Sequence, residues 1–402
     1  MKESGPVSYA EACRLIDCAI ADARLPSETI PVRSGLGRVL ASPAISTLDL
    51  PPFNKSAMDG YAVSVGDDSA GFRIIGTIAA GQPPPAAPLG RGETLRVMTG
   101  APVPPGEVEV VMQEDADVEG DSVRFRRRGQ SNVCALGEDI RRGAEFLPAG
   151  KVLRPLDLAN LIGCGVTEIK VARRPRIAVL TTGNELADDP AQIRPGRIMN
   201  SNGPLISSLA ASFGFEVCAE SIVADDLDVT REALRSALAE ADMVLLSGGV
   251  SVGLFDMVPS ALAQLNARVH FAGLSVKPGR PALFATVGGR AVFGLPGNPV
   301  SVFIMFHVLA LRAAGKLTGA EFMPPVRSAV LAAPFARRRG DRLEFVPACL
   351  DSQGRAVALP SHGSAHLLAL TRAEGLLMVP IGLTSAAEGA VMDFQPLPGG
   401  VA

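Results

Sequence analysis

Lys277 and Arg280 are two cations held between prolines in residues 277–281, ahead of an apolar strand that ends in Pro296, Gly297, Asn298 and Pro299. Residues 300–314 then read as a largely apolar helix beginning at that loop. The first turn of a helix offers unpaired backbone N–H groups and the positive end of its dipole, worth roughly 0.3–1 kcal/mol toward an anion in an exposed setting. An oxyanion is the guest such a pairing would take. Proline and glycine also punctuate ordinary turns between strand and helix, so one loop of this kind would carry little weight. Two more occur: RIAVLTTGNEL (176–186) and DMVLLSGGVSVGLFD (242–256) each run a buried-type strand into a glycine-containing loop.

The elements behind these loops follow from pattern. A continuous apolar run such as 177–180 suits a parallel strand covered on both faces, and parallel strands set their carboxyl-end loops along one edge, where ligands bind. Helices are expected over 203–213, 229–241, 258–265 and 300–314, alternating with the strands as in a doubly wound α/β sheet. Before this region, Ser8 with Glu11 three residues on has the form of a capping box opening a helix over 8–22. Residues 31 to 170 break into short β-like runs, with a helix over 155–164, and after Pro324-Pro325 the pattern turns β again. Asp59-Gly60, in PPFNKSAMDGYAV, reads as a turn whose aspartate bonds its own backbone, and Thr99 before Gly100 as a strand end.

At 402 residues and 47% hydrophobic, the chain is too long for one ordinary core and predicts two to four domains. Aromatic content of 4% with no Trp makes the core aliphatic, and a net charge of −3 provides no general pull toward nucleic acid or anionic membrane. Six scattered cysteines without a CxxC pair, and no signal-like N-terminus, point to reduced thiols and a cytoplasmic protein. The apolar run 300–310 falls short of the ~20 residues that cross a bilayer. The four histidines lack ligand spacing, and His307 reads as a core or interface residue.

SAMDGYAV, VMTGAPVP, GED, TTGNEL, SNGPLI, SGGVSVG, KPGRP and GLPGNPVSV occur in an order and at distances that resemble the molybdopterin molybdenumtransferase family over nearly the whole chain. The resemblance implies a multidomain α/β plus β protein. Residues 1–45 with 143–175 would form an elongated domain, 46–142 an inserted β domain, 176–320 a doubly wound molybdopterin-binding α/β domain, and 321–402 a small C-terminal β domain. It implies a homodimer that takes adenylylated molybdopterin and molybdate, inserts molybdenum into the dithiolene and releases AMP with Mg²⁺. Molybdopterin adenylyltransferase is a further implied partner; no nucleic acid or membrane is.

By the same resemblance, Glu185, Asp225 and Asp256 are acids at the sheet edge, with Glu185 and Asp256 as metal contacts. Asp59 and Thr99 of one subunit would face the crevice of the other, and Asp139 of GED joins the catalytic set. Ser247, Gly248, Gly249, Ser251, Lys277, Arg280, Pro296, Gly297, Asn298, Pro299 and Ser301 would contact substrate, together with Arg342 of RLEF and Ser364 of SHGSAHLL. Without the resemblance, Glu185 and Asp256 are solvated loop acids, and Asp225 a helix cap, a role that Asp228 fills better by position. Three positions depart from the family pattern. Cys134 stands where an arginine is common, leaving Arg141 and Arg142 as substitutes; Gly273 replaces a frequent cation, and Leu254 a frequent acid. Those departures keep a divergent binding or scaffold paralogue open, while the long N-terminal β region argues against the adenylyltransferase itself.

Overall fold

The structure, a computed structural model, describes residues 5–250, 257–359 and 367–398. Helix α1 (Tyr9–Ala19) starts where Ser8 Oγ accepts the Glu11 N–H at 3.1 Å. Only that arm of the expected capping box forms, because the Glu11 carboxylate is taken by Arg14 at 2.6 and 2.8 Å. Ala12, Ile16 and Ile20 recur every four residues and are fully buried, not among the N-terminal strands but within the core of the α/β sheet.

The first β region contains β1 (Ser27–Pro31), followed by a six-stranded sheet of β2 (Gly60–Ser64), β3 (Phe72–Ile78), β4 (Glu93–Val97), β5 (Val108–Met112), β6 (Ala116–Glu119) and β7 (Ser122–Phe125). Its order is β5-β2-β4-β3-β7-β6. Helix α2 (Pro155–Gly163) and β8 (Glu168–Ala172), which pairs antiparallel with β1, return the chain to the α/β region.

That region runs β9 (Arg176–Thr182), α3 (Asn202–Ser212), β10 (Glu216–Val223), α4 (Leu227–Glu240), β11 (Met243–Ser247), α5 (Val258–Gln264), β12 (Arg268–Ala272), β13 (Leu283–Val287), β14 (Arg290–Leu295), α6 (Pro299–Met305) and α7 (Leu311–Thr318). The sheet order is β10-β9-β11-β14-β13-β12. The first four strands are parallel and the last two join through antiparallel pairing. The reversal at β13–β14 uses Gly288 and Gly289, both at positive φ (55° and 82°), the pair a two-residue type I′ hairpin requires.

Side-chain alternation divides the core in two. Ile177, Val179, Met243 and Leu245 face α1, α3 and α6–α7; Ala178, Leu180, Val244 and Leu246 face α4 and α5. Both faces are covered, which explains why these strands read as unbroken apolar runs.

Helices α6 and α7 are continuous through a π turn at Phe306–Ala310, giving 20 residues from Pro299 to Thr318 rather than the shorter helix expected. Its length and hydropathy would suffice for a membrane, but 83% of its most apolar window is buried inside the protein. It is the central core helix.

After it come β15 (Arg327–Val330), β16 (Leu343–Leu350), β17 (Gly375–Val379) and β18 (Val391–Pro396), in the order β16-β17-β18-β15. The open edge of β16 is not left to solvent. Val276 and Lys277 of the α/β region pair with it in parallel, Val276 opposite Leu343 and Lys277 opposite Glu344.

Candidate functional site

The carboxyl ends of β9, β11 and β14 bring the three glycine loops together, as the strand pattern predicts. Gly248 and Gly249 stand at φ 91° and 62°. A Cβ on Gly248 would lie 2.6 Å from Thr182 O and 2.8 Å from Thr182 Oγ1, so this loop can press on β9 only without a side chain. Asn202, the first residue of α3, ties the loops to one another: its Nδ2 donates to Ser247 Oγ at 2.8 Å and to Gly297 O at 2.7 Å. Ser247 Oγ in turn reaches Pro296 O at 3.3 Å, and the Gly248 N–H bonds Leu295 O at 3.2 Å.

Two adjoining cavities open at this edge. One of about 300 Å³ is lined by Glu185 and Asp225 with Thr182, Gly183 and the 248–250 loop. The other, about 610 Å³, lies between this edge and β16 and is lined by Lys277, Arg280, Arg342, Asn298 and Ser301. Pro281, Pro296 and Gly297 border both.

Asp225 is fixed by a reciprocal pair of bonds: its carboxylate accepts the Asn184 N–H at 2.9 Å, and its own N–H donates to Asn184 Oδ1 at 3.2 Å. It does not cap α4. Asp226 does, accepting the Val229 N–H at 2.9 Å, while Asp228 sits in the first turn against Arg231, so the expectation that Asp228 is the cap is corrected. Two polar atoms at this edge, Thr182 Oγ1 and Asn202 Oδ1, are buried without a partner among the described residues. Such groups are costly unless a ligand or water completes them.

On the second cavity, Lys277 Nζ is 2.7 Å from Glu344 Oε1, and Arg342 Nη1 donates to Val276 O at 3.3 Å. Arg280 is exposed, and among the described residues its guanidinium has no side-chain partner. Pro299 occupies the first helical position of α6, Asn298 the cap position, and Ser301, fully buried, the third position facing the cavity. Ser251, Leu254, Asp256 and Ser364 lie outside the described residues. Among the described residues no group of three or more His, Cys, Asp or Glu side chains is arranged to hold a metal ion.

Asp59 and Thr99 are brought together elsewhere. Asp59 Oδ1 accepts the Thr99 N–H and the Thr99 hydroxyl, each at 2.7 Å and forty positions away. Those two bonds, the backbone one first, hold its carboxyl below the usual carboxylate range. The sequence suggested an aspartate bonded to its own turn; the structure instead joins two motifs. Neither residue lines the two cavities of its own chain. Asp139 is exposed in the same β region, its N–H on Leu50 O at 2.9 Å. Cys134 is half-buried opposite Lys55. Of the two candidate replacement cations, Arg141 lies against Gly137, where a Cβ would meet its Cδ at 2.6 Å. Gly273, at φ 110°, packs against Pro6.

His307 is buried in the π turn, as the sequence suggests. Its Nδ1 lies 2.8 Å from Phe303 O and must therefore carry the proton; burial pushes its pKa down to about 4. Asn202, Thr182 and Glu344 were not singled out from sequence. Asn202 lies within SNGPLI and Glu344 within RLEF, but only the folded chain places partners beside them.

Family models match residues 7–165 as a MoeA N-terminal region (domain I and II), 178–315 as a probable molybdopterin binding domain and 328–397 as a MoeA C-terminal region (domain IV). A molybdopterin molybdenumtransferase of Staphylococcus epidermidis is 32% identical over 402 residues, covering 96% of this chain and 95% of the relative. One from Staphylococcus aureus is 32% identical over 407 residues, covering 98% and 96%. A crystal structure of a molybdopterin biosynthesis MoeA protein from Pyrococcus horikoshii OT3 is similar at TM-score 0.85 and 28% identity, over 98% of this chain and all of that one. A molybdenum cofactor biosynthesis protein from Pyrococcus furiosus, at 21% identity and TM-score 0.61, supports the fold alone.

Proposed function

This chain belongs to the molybdopterin molybdenumtransferase family, and from that premise we propose that it inserts molybdate-derived molybdenum into the dithiolene of adenylylated molybdopterin with release of AMP. The observation that carries the proposal is the pair of adjoining cavities, one lined by carboxylates and the other by cations, joined at Pro281, Pro296 and Gly297. A substrate with a pterin, two phosphates and an oxyanion to receive needs both kinds of wall.

In this proposal Lys277, Arg280 and Arg342, with the N-terminus of α6, bind the anionic groups. Asn202 holds the loops in register, and its Oδ1, with Thr182 Oγ1, supplies buried acceptors for N–H or O–H groups of the substrate. The donor set at the other wall, the Glu185 and Asp225 carboxylates beside the Thr182 hydroxyl, is all hard oxygen and fits Mg²⁺, which keeps several waters. Glu185 would hold the ion together with Asp256, and when bound it would neutralise phosphate charge in cleavage of the phosphoanhydride. Asp59 and Thr99 do not line the cavities of their own chain, which supports a homodimer in which the second subunit supplies them. The protein would work in the cytoplasm, receiving adenylylated molybdopterin from the adenylyltransferase. The scaffold alternative is not favoured: the relatives matched over nearly the full chain bear the transferase name.

The test is AMP release measured together with molybdenum-cofactor formation, from purified protein, adenylylated molybdopterin, Mg²⁺ and molybdate. Both products, with AMP release dependent on molybdate, are expected. Binding of adenylylated molybdopterin without either product would overturn the transferase proposal.

A further inference from the structure

The cationic wall contains a lysine that is already paired. Lys277 Nζ lies 2.7 Å from Glu344 Oε1, and Arg337 Nη1 lies 3.2 Å from Glu344 Oε2. The two cations differ in freedom. Arg337, 4% exposed at its side chain, also donates to Leu383 O at 2.6 Å, Arg342 O at 3.0 Å and Pro380 O at 2.5 Å. It is locked inside the C-terminal domain and fixes Glu344 with it. Lys277 is 54% exposed, on a flexible four-carbon stem facing the larger cavity. The parallel register of Lys277 with Glu344 fixes the base of that stem across the boundary between the α/β region and the C-terminal sheet.

We infer that Glu344 is a positioning residue that parks the Lys277 ammonium beside the cleft and yields it to a bound oxyanion. Removing one partner of a buried ion pair ordinarily strands an uncompensated charge. Here Arg337 remains on Glu344 after Lys277 leaves, so the exchange strands none. The oxyanion then meets a lysine already aimed at it, at the cost of breaking one half-exposed contact. This rests on the reading of the cleft as an oxyanion site, and it makes the C-terminal domain a determinant of how tightly the α/β region holds that oxyanion.

The experiment is calorimetric titration of molybdate into the native protein, Glu344→Gln, Lys277→Ala and the double variant, without turnover. Glu344→Gln removes the competing charge and keeps an acceptor, so binding should tighten about fivefold, the scale of one partly exposed ion pair. Lys277→Ala should weaken binding, and adding Glu344→Gln to it should then change nothing. A purely structural Glu344 would act the same with or without Lys277. Native-like or weaker binding by Glu344→Gln, an effect that persists without Lys277, or no molybdate binding by native protein and Glu344→Gln alike would each overturn the inference. Should Glu344→Gln fail to fold, Glu344→Asp keeps the charge but shortens its reach, and a smaller tightening is expected; no change would refute it. Because the titration requires no product, a protein that shows this pattern but releases no AMP would overturn the transferase proposal and leave the Glu344 role standing.

Discussion

Asn202→Ala isolates what holds the three loops of the cleft in one arrangement. The substitution removes two hydrogen bonds, to Ser247 Oγ and Gly297 O at 2.8 and 2.7 Å. Each is worth about 1 kcal/mol net. Ser247 keeps its contact with Pro296 O and Gly297 is exposed to water, so neither partner is stranded. Deleting Oδ1, which has no partner among the described residues, returns part of the loss. The expected cost is therefore about 1–2 kcal/mol, local to the sheet edge, or roughly a five- to thirtyfold increase in opening. Amide hydrogen exchange reads this directly, since the Gly248 N–H is bonded to Leu295 O across two of the loops. Peptides covering 243–250 and 291–298 should exchange faster by that factor, while β3 and β17 stay unchanged. Asn202→Asp should do worse than alanine, because a carboxylate facing the Gly297 carbonyl cannot donate and repels it. Unchanged exchange in Asn202→Ala, or better protection in Asn202→Asp than in alanine, would refute the reasoning.

His307 is neutral and buried, with its pKa lowered from 6.5 to about 4. The unfolded chain binds this proton more readily, so the stabilisation is complete above about pH 6.5 and is lost as pH falls toward 4, by at most about 3 kcal/mol; unfolding of His307→Phe against pH should be flatter over that window, and an equal slope would remove His307 as its source. Gly248→Ala places a Cβ 2.6 Å from Thr182 O at a φ of 91°, and should reduce the affinity for adenylylated molybdopterin sharply; native-like binding would show that the loop has room to yield. Asp59→Ala should remain folded yet lose most molybdenum insertion, and full turnover would end its catalytic assignment. The low pKa of Asp59 means its contact with Thr99 is present above the ordinary carboxylate value of 3.8 and lost only as pH falls through the lower folded value. Thr99 amide shifts on acid titration measure this, and an early loss near pH 5 would contradict the geometry.

Much of the α/β region was legible because its signals are local. The runs 177–180 and 243–246 are apolar at every position, which two covered faces require, and helices fell within a few residues of their expected bounds. The core helix runs past its expected end at 314 to Thr318, through Lys316. The capping box was half right for a similar reason: Glu11 had a second candidate, Arg14, that spacing alone does not exclude. At α4, three neighbouring aspartates competed for one cap, and the pattern does not say which carboxylate meets the Val229 N–H.

By itself, the order and spacing of motifs determined the family, the succession of β, α/β and β regions, and the edge at which the glycine loops gather. These rest on side-chain period, glycine's tolerance of positive φ and the direction of parallel strands, all carried by neighbours in sequence. Tertiary structure alone decided that α1 belongs to the α/β core and that Asp59 answers Thr99. It alone decided, too, that Asn202 pins Gly297 and that Glu344 holds Lys277. Each is a contact between residues far apart in the chain, made only when separate elements pack. Hydrogen-bond partners are set by that packing within a few tenths of an ångström, a distance that no local pattern encodes.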